Sequence, residues 1–503
     1  PRLTIRYVLF TSFVLYVLYC LLLSRPLFAS SLPGYTGPYG VGGLDIEVPL
    51  AAPRRVSEIT TKESGQPAFE VETVLFTLYY PTQQSTRWKR HEEDELYWVP
   101  KPISATAKGY ARFIKMDNFL IRNVFTFAMW MAVGGIRIPA QIGAPLLPTE
   151  GDDAIDSIAP RGGGEDAEGQ QLPVIIFSHG MASSRTDYTS YLGELASRGV
   201  VVAAIEHRDG SSPASAITRK DGMEIKSRWK YSLHLNDLDP ASYEGGDDGV
   251  LDTAALKQAQ LSFREAEIEA VVHVLRQITT SPSAAEEVAL QNARHPGYAP
   301  PSLLSSFAGR LNTANITLAG HSYGATGVLQ ALRSGPTRER PFGGAVVLDP
   351  GKNSGPLNDD ISVPVAVCHS SSWSRPGPSL FFGRPHFEVV RDIVEKLNDL
   401  LRPCWFLTSL GTSHPSITDA PLLEPLLLSW TTGSTMDAQD GIRQYVDLTA
   451  DFVTYQGTGT RSGLLALSGR EEDGVVRREY DPKNNEGIPQ RWRGYWQIHV
   501  APD

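Results

Sequence analysis

The stretch Asn315-Ile-Thr-Leu-Ala-Gly-His-Ser-Tyr-Gly-Ala-Thr326 decides the fold of this chain. Residues 316–319 form an apolar run with the length of a buried strand, and the pattern of residues 325–333 predicts a helix. Between them lies a Gly-x-Ser-x-Gly turn with Ser322 at its apex. Glycine on both sides of the serine allows the strand and the helix to approach closely. The stretch therefore predicts an exposed serine hydroxyl beside a helix N-terminus, which favours a developing anion.

A serine on a strained turn between a strand and a helix is the nucleophile elbow of the α/β-hydrolase fold. The rest of the chain supports this interpretation, because strand and helix patterns alternate as they do in βαβ units. Apolar strand patterns occur at residues 174–177, 200–205, 345–348, 363–368 and 405–410. We therefore expect an α/β protein with a doubly wound, mostly parallel sheet and helices on both faces.

The chain has 503 residues, of which 41% are hydrophobic and 20% charged, as is typical of a globular protein with a large core. Residues 30–455 are predicted to form the catalytic domain, and residues 456–503 a C-terminal extension that could cap the pocket. Within the domain, residues 30–60 are rich in glycine and proline and predict a loop-like entry. Residues 151–171 are acidic, rich in glycine and without periodicity, which predicts a disordered insertion.

The N-terminal segment, residues 1–29, contains an almost continuous apolar run from Tyr7 to Leu23. This length is near the roughly 20 residues that cross a bilayer, and it exceeds the roughly 7–15 of a signal-peptide core. We expect an uncleaved single-pass signal anchor with a lumenal or extracellular catalytic domain. Cleavage near Ala29 followed by secretion is the alternative, and a buried core helix is a third possibility.

The net charge of −10 argues against a nucleic-acid partner, because binding to phosphate backbones needs a basic surface. Neutral and zwitterionic substrates stay open. Two of the three cysteines, Cys368 and Cys404, fall in predicted strands. One disulfide between them and two buried free thiols are both compatible with the sequence. Nothing in the sequence indicates the oligomeric state.

A second apolar stretch, residues 116–134, is too short and too polar for a membrane span because Arg122 lies near its middle. It predicts either a helix packed on the core or an amphipathic helix that contacts a lipid surface. The second interpretation depends on its bulky apolar residues. The candidates for membrane contact are Phe119, Phe125, Trp130 and Met131.

Acyl transfer by a serine needs a base, an acid that orients the base, and two N–H donors for the oxyanion. In α/β-hydrolases the chain order is serine, acid, histidine, each beyond the C-terminal end of a strand. Asp349 follows the first predicted strand after Ser322, and His414 lies in a Gly-Thr-Ser loop after the last one. The oxyanion hole should use the N–H of Tyr323 and, from the loop after the first core strand, that of Met181.

Other side chains compete for these roles. His369 also follows a strand and is the alternative base, and His386 is a weaker one. The alternative acids are Asp359, Asp360 and Asp419. His321 and His179 are expected to have packing or hydrogen-bonding roles. Glu206 and Asp209 precede the serine, which breaks the usual order, so they are expected to form ion pairs with Arg208.

Three runs resemble the plasma-type platelet-activating factor acetylhydrolases, which are lipoprotein-associated phospholipases A2 with fungal relatives. The runs are Phe177-Ser-His-Gly-Met181, Leu195-Ala-Ser-Arg-Gly-Val-Val-Val-Ala-Ala-Ile-Glu-His-Arg-Asp-Gly210 and Gly320-His-Ser-Tyr-Gly-Ala325. The resemblance extends over about residues 35–419. It implies the same site: Ser322 as nucleophile, Asp349 as acid, His414 as base, and Met181 and Tyr323 at the oxyanion-hole positions.

The resemblance further implies calcium-independent hydrolysis of a short or oxidised acyl ester at the sn-2 position of a phospholipid, with no cofactor and no metal. The region from Phe119 to Met131 falls where the family has a membrane-contacting helix. The N-terminal segment, the acidic insertion and the C-terminal tail have no clear counterpart. We interpret the chain as a serine esterase of the phospholipase A2 type. The alternatives are a carboxylesterase for soluble esters and a catalytically silent, membrane-tethered binding protein.

Overall fold

The computed structural model describes most of the chain. The described residues are 5–22, 29–84, 95–148, 171–221, 224–243, 245, 250–294, 301–377, 383–424, 430–467 and 475–503. Apart from residue 171, the predicted acidic insertion at 151–171 lies outside them.

Strands and helices alternate along the chain. The strands are β1 (Gly40–Arg55), β2 (Glu70–Thr82), β3 (Glu95–Tyr97), β4 (Arg137–Ile142), β5 (Val174–Ser178), β6 (Val201–Ile205), β7 (Ala214–Asp221), β8 (Glu224–Tyr231), β9 (Ile316–His321), β10 (Phe342–Leu348), β11 (Val365–Ser370), β12 (Cys404–Ser409) and β13 (Trp496–Val500). The helices are α1 (Ile5–Leu22), α2 (Ile103–Phe113), α3 (Phe119–Val133), α4 (Thr189–Ala196), α5 (Thr253–Thr280), α6 (Pro282–Gln291), α7 (Pro301–Ser305), α8 (Tyr323–Ala331), α9 (Ser371–Ser374), α10 (His386–Asp399), α11 (Ala420–Leu423), α12 (Ala438–Thr458) and α13 (Gln490–Arg493).

An eleven-stranded sheet, in the order β13-β12-β11-β10-β9-β5-β6-β2-β1-β4-β3, forms the centre of the described structure. The six strands from β12 to β6 run parallel, and β2 and β13 flank them antiparallel. β5, β6 and β9 are buried along their whole length, as strands covered on both faces must be. Helices α5, α8 and α10 cover one face, and α4 and α12 cover the other. The predicted α/β-hydrolase fold is confirmed.

The first strand corrects the prediction of a loop-like entry at residues 30–60. β1 begins at Gly40 and pairs antiparallel with β2 from Gly40 opposite Thr82 to Pro49 opposite Thr73. A Cβ atom at Gly42 would overlap the ring of Tyr80 on β2. Glycine is therefore needed for close packing in this strand, although glycine in a sequence usually indicates a turn.

The C-terminal segment, whose position the sequence did not indicate, returns to the sheet. β13 pairs antiparallel with β12 and covers its outer edge, with Trp496 and Ile498 buried. Covering the edge removes a row of unpaired backbone groups that would otherwise be open to other chains. The tail therefore completes the sheet on the side next to the strand that precedes His414.

In the described part of the chain, no helix is both long enough and apolar enough to cross a membrane. The predicted single-pass signal anchor is therefore wrong.

The cysteines of the two neighbouring strands are both buried free thiols. In the register of β11 and β12, Cys368 lies opposite Leu407 and Cys404 lies opposite Val365. The two cysteines are therefore offset by three residues along the strands. Of the two possibilities that the sequence left open, the structure has the free thiols.

Candidate active site

The turn between β9 and α8 has the geometry of a nucleophile elbow. Ser322 lies between the two elements with φ 56° and ψ −119°, a combination that costs backbone energy for a residue other than glycine. A Cβ atom at Gly320 would lie 2.6 Å from the carbonyl oxygen of Gly324, and one at Gly324 would overlap the carbonyl oxygen of Ser178. The two glycines thus permit the sharp turn that places the serine hydroxyl at the edge of the sheet.

Three of the predicted side chains meet at this edge. The Nε2 atom of His414 lies 3.1 Å from the Ser322 Oγ, and its Nδ1 atom lies 2.9 Å from an Asp349 carboxylate oxygen. The three residues follow β9, β10 and β12, which are parallel, so the topology brings their loops to the same side. Asp349 is buried, whereas the His414 side chain keeps 29% of its exposure. This is a continuous hydrogen-bonded chain from a buried acid to an accessible hydroxyl.

A run of serines that begins at the last residue of β11 holds the acid and the base in place. Ser370 donates from its backbone N–H and from its hydroxyl to the two carboxylate oxygens of Asp349, at 2.6 and 2.7 Å. The Ser372 hydroxyl accepts from the backbone N–H of His414 at 2.9 Å. These residues were not predicted from the sequence. The signal for them was a Ser-Ser-Ser-Trp run directly after a strand that neighbours the acid.

Aromatic rings flank the His414 imidazole. The Trp373 indole stacks on it with ring centroids 3.9 Å apart and an interplanar angle of 11°, and the His321 ring lies 4.5 Å away. The Trp373 Nε1 atom donates to the carbonyl oxygen of Pro350 at 2.9 Å, which ties the indole to the loop of the acid. The Lys352 Nζ atom lies 4.5 Å from the centroid of the same indole.

The two backbone donors predicted for an oxyanion hole are the N–H groups of Met181 and Tyr323. Within the described residues, neither the Met181 N–H nor the Tyr323 N–H donates to another group, while the neighbouring Gly180 N–H donates to the Tyr188 hydroxyl at 3.1 Å. A Cβ atom at Gly180 would lie 3.2 Å from the Ser322 Cβ, so this loop passes close to the elbow. A cavity of about 260 Å³ opens here. Its lining includes Ser322, His414, Met181, Tyr110 and Trp98.

The competing residues have partners other than Ser322. His369 is fully buried and stacks on His386 at 5.4 Å, and burial lowers the pKa of both imidazoles. Asp419 accepts from the backbone N–H groups of Thr189 and Ser190 at 2.8 Å, at the start of α4. Asp359 pairs with Lys396 at 2.5 Å, and Asp360 accepts from the Ser334 N–H at 3.2 Å.

His321 contacts the Tyr188 hydroxyl through Nδ1 at 2.9 Å, and His179 bonds the Gly180 carbonyl at 2.8 Å, so both have hydrogen-bonding roles.

The predicted ion pairs of the Glu-His-Arg-Asp run have different partners from those expected. Glu206 pairs with Arg185 at 2.9 Å, and Asp209 pairs with Arg264 at 2.8 Å. Arg208 instead reaches Glu47 on β1 at 2.7 Å. The sequence could not show these partners because they come from segments far from the run.

A second serine–histidine–carboxyl chain lies in the interior. Ser178 Oγ is 2.7 Å from His207 Nε2, and His207 Nδ1 is 2.7 Å from Glu267. All three side chains are buried without exposure, and burial raises the pKa of Glu267 to about 8. A substrate cannot reach this serine, so the arrangement satisfies buried polar groups and is not a reaction centre.

His321, Asp349 and His414 also offer donor atoms that lie within 4.8 Å of one another, a set that could hold a metal ion. In the observed geometry the two nitrogens of His414 are used by Ser322 and Asp349. A metal ion would have to replace these hydrogen bonds.

Helix α3 exposes about half of its apolar side chains, and none of its residues is buried. Of the four candidates for membrane contact, Phe119 and Trp130 are 83% and 49% exposed, whereas Phe125 and Met131 are half-buried. Leu120 and Val124 are also exposed, although they were not among the predicted residues. α3 packs on α2. Because Tyr110 of α2 lines the cavity and its hydroxyl donates to the Ala182 carbonyl at 3.3 Å, this apolar surface lies near the cavity.

Comparison with known proteins gives three kinds of similarity. The family model described as "Platelet-activating factor acetylhydrolase, isoform II" matches residues 162–454. A putative phospholipase A2 of Schizosaccharomyces pombe is 28% identical over 298 residues, which cover 58% of this chain and 57% of that protein. A platelet-activating factor acetylhydrolase of Cavia porcellus is 24% identical over 398 residues, 78% of this chain and 69% of that protein. A ferulic acid esterase structure from Streptomyces cinnamoneus superposes with a TM-score of 0.50 at 18% identity, covering 88% of this chain and 97% of the esterase.

Proposed function

The chain belongs to the platelet-activating factor acetylhydrolase isoform II family, whose model matches more than half of it, and we propose that it hydrolyses the sn-2 acetyl, short or oxidised acyl ester of phospholipids. Family and fold establish the coarser statement that it is an ester hydrolase. One observation carries the proposed mechanism: the hydrogen-bonded chain from Asp349 through His414 to Ser322 opens into a cavity with two free N–H donors.

In the first half of the proposed reaction, the Ser322 oxygen attacks the sn-2 carbonyl carbon while His414 Nε2 takes the hydroxyl proton. The carbonyl oxygen becomes an oxyanion and accepts from the N–H groups of Met181 and Tyr323. Asp349 stabilises the imidazolium without taking its proton. The tetrahedral intermediate collapses, the proton passes from His414 to the leaving lysophospholipid oxygen, and an acyl-serine forms.

In the second half, water enters where the lysophospholipid left. His414 takes a proton from the water as its oxygen attacks the acyl carbon, and the same two N–H groups stabilise the second oxyanion. The bond to the Ser322 oxygen then breaks, and the proton returns to that oxygen. The products are a carboxylic acid and free enzyme, so none of these steps requires a cofactor.

The exposed face of α3 supports a substrate that is held in a lipid surface. We propose that Phe119, Leu120, Val124, Phe127 and Trp130 enter the interface and bring the cavity to the lipid. Each large apolar side chain that leaves water contributes about 1.5–3 kcal/mol to such binding. The half-buried Phe125 and Met131 are proposed to support this face from within.

Labelling with a fluorophosphonate tests for the activated serine, since the reagent reacts with a serine only when a base removes its proton. We expect the wild-type protein to be labelled and Ser322→Ala to remain unlabelled with an unchanged melting temperature. Absence of labelling in the folded wild-type protein would favour the silent binding protein.

Substrate choice is tested by comparing a short-chain sn-2 phospholipid with p-nitrophenyl butyrate, each with and without a chelator. We expect hydrolysis of the lipid to dominate and to persist in EDTA. Cleavage of the aryl ester alone would replace the proposal with a carboxylesterase for soluble esters, and loss of activity in EDTA would point to a metal at His321, Asp349 and His414.

A further inference from the structure

A second cavity lies directly beside the one that holds Ser322. It has a volume of about 370 Å³ and is bounded by the C-terminal end of α2, the segment 232–236 and the first turns of α5. Met181, whose backbone N–H is the proposed oxyanion donor, lines both cavities. The two cavities therefore adjoin at this residue.

The charges in this cavity are of one sign. Lys115 and Lys257 line it together with His234, and none of its lining residues is an aspartate or a glutamate. A cavity lined by basic residues without acidic ones stands out in a chain that has more acidic than basic residues, 56 against 46. A larger neighbouring groove of about 830 Å³ also includes Lys257, but Asp252 and Asp359 line it, so its charge is mixed.

Neither ammonium group has an ion-pair partner among the described residues, whereas the partly buried Arg112, Arg294 and Arg340 each pair with a carboxylate. Lys257 is half-buried, and burial lowers its pKa because the charged form loses hydration there. A partly desolvated cation without a carboxylate gains more from an anion than a fully hydrated surface lysine does.

Lys257 is also connected to the reaction centre by a hydrogen bond from Tyr323. The hydroxyl of Tyr323, the residue after the nucleophile, lies 3.2 Å from the Lys257 carbonyl oxygen and 3.0 Å from Gln260 Oε1. The Gln260 amide in turn donates to the Asp209 carbonyl oxygen at 3.2 Å. One tyrosine side chain therefore spans the distance from the elbow to this turn of α5.

We propose that this cavity binds the phosphate group of the substrate, with Lys257 as its principal cation and Lys115 at its rim. The assignment deepens the proposed function and rests on it for the identity of the lipid. The chemistry selects a phosphodiester placed near the reacting ester, as in a glycerophospholipid, and not an uncharged ester. The ammonium of Lys257 would donate to the phosphate oxygens in a charge-assisted hydrogen bond.

The direct test measures binding of sn-glycero-3-phosphocholine by isothermal titration calorimetry, with glycerol and choline as ligands that lack the phosphate. We expect the wild-type protein to bind glycerophosphocholine and neither control ligand. Lys257→Gln should weaken the binding roughly tenfold and Lys115→Gln by less, since a charged hydrogen bond that is partly exposed has about this effect. Lys226→Gln, on the exposed hairpin β7–β8, is the matched control and should bind as the wild type does.

Two results would overturn the assignment: no binding of glycerophosphocholine to the wild-type protein, or equal affinity in Lys257→Gln. Phospholipid hydrolysis by the wild-type enzyme separates this outcome from failure of the proposed function. Hydrolysis without an effect of Lys257 on binding would retain the function and remove the phosphate site. Lysine-dependent binding without phospholipid hydrolysis would retain the site and remove the lipid substrate.

Discussion

The imidazole of His414 is fixed on both ring nitrogens and on one ring face. Asp349 and Ser322 take the nitrogens, and the Trp373 indole covers the face at 3.9 Å. An aromatic face attracts a cation through its quadrupole, so the stack favours the imidazolium that forms during each proton transfer. It also keeps the ring from turning away from the serine.

Replacement of Trp373 tests this positioning role. We expect Trp373→Leu to lower kcat about tenfold with little change in KM, because the lost interaction of roughly 1 kcal/mol acts when the imidazole is charged. Trp373→Phe keeps an aromatic face and should recover most of the rate. Steady-state kinetics on a soluble ester give both constants. A rise in KM with kcat unchanged would instead mean that the indole only binds substrate.

At the level of single residues, the sequence predicted those whose positions follow from order and topology. Ser322, Asp349 and His414 each follow a strand of one parallel sheet, so their convergence could be expected. Ser370 and Trp373 could not be assigned, because their roles depend on which strand neighbours the acid and on where their side chains point. The buried chain of Ser178, His207 and Glu267 gives a second example of what the sequence cannot show. Only its burial, which the sequence does not reveal, distinguishes it from an accessible site.

At the scale of elements, the junction of β9 and α8 depends on one glycine more than on its neighbour in the same helix. A methyl group at Gly324 would overlap the carbonyl oxygen of Ser178 on β5, whereas one at Gly327 would meet its nearest atom, in Arg264, at 3.6 Å. Two Gly→Ala changes three residues apart therefore have opposite expected effects.

We expect Gly324→Ala to lower the free energy of unfolding by about 3 kcal/mol or to prevent folding, since the start of α8 cannot move away from β5 without disturbing the elbow and the sheet. Gly327→Ala should raise it by up to about 1 kcal/mol, because alanine loses less backbone entropy within a helix. Urea unfolding followed by circular dichroism measures both. A stable Gly324→Ala protein would show that the elbow is looser than the contacts indicate.

Helix α3 carries the second prediction at this scale. We expect the double variant Phe119→Ser/Phe127→Ser to bind phosphatidylcholine vesicles more than tenfold less tightly, since two exposed phenyl rings lose their transfer free energy. Vesicle sedimentation measures the binding, and p-nitrophenyl butyrate hydrolysis reports on the intact fold.

The matched control for α3 is Leu400→Ser/Leu401→Ser. These leucines are 58% and 88% exposed, but they precede β12 and so lie at the edge of the sheet opposite Ser322. Their replacement should leave vesicle binding unchanged. Equal losses in the two double variants would show that general surface hydrophobicity, and not the face of α3, determines the binding.

Elements were predictable where local pattern and tertiary contacts agree. The buried strands β5, β6 and β9 lie within a few residues of the predicted bounds. β1 was missed because its glycines serve packing against β2 rather than a turn, and β13 because its partner β12 lies about 90 residues earlier. Pairings of this kind depend on the whole sheet and leave no local signal.

At the scale of the whole molecule, many ionisable groups lie in the interior. Burial lowers the pKa of His179 and His386 to about 3 and that of His499 to about 4, and it lowers those of His207, His321 and His369 well below the usual value. In the opposite sense, burial raises the pKa of Glu267 to about 8 and that of Asp187 to about 7. The two sets act on stability in different directions.

The pH dependence of stability follows from the balance of these two sets. Below about pH 6.5 the unfolded chain protonates histidines that stay neutral in the folded protein, so each contributes stability that is lost as the pH falls. The two carboxyls are protonated in the folded state up to about pH 7–8, so their contribution is lost as the pH rises. Between pH 6.5 and 5, unfolding takes up protons at these six histidines and releases them from carboxyls whose pKa burial raises, which also include Glu206, Glu265, Asp419, Asp447 and Asp451. We expect the histidines to dominate, because their unfolded pKa of about 6.5 lies in this range. The unfolding free energy should then fall on acidification by about 1.4 kcal/mol per pH unit for each excess proton, and the melting temperature should fall with it.

Replacing one buried histidine tests the origin of this slope. Differential scanning calorimetry between pH 5 and 7 should show a shallower decline for His499→Gln than for the wild type, because one proton fewer is taken up on unfolding. The His499 ring is held by Thr408 at 2.7 Å and the Arg477 carbonyl at 2.6 Å, so the variant should also be less stable at pH 7. His273→Gln, at an exposed position on α5, is the control and should keep the wild-type slope. A wild-type melting temperature that rises on acidification would mean that the buried carboxyls, and not the histidines, govern the stability of this protein.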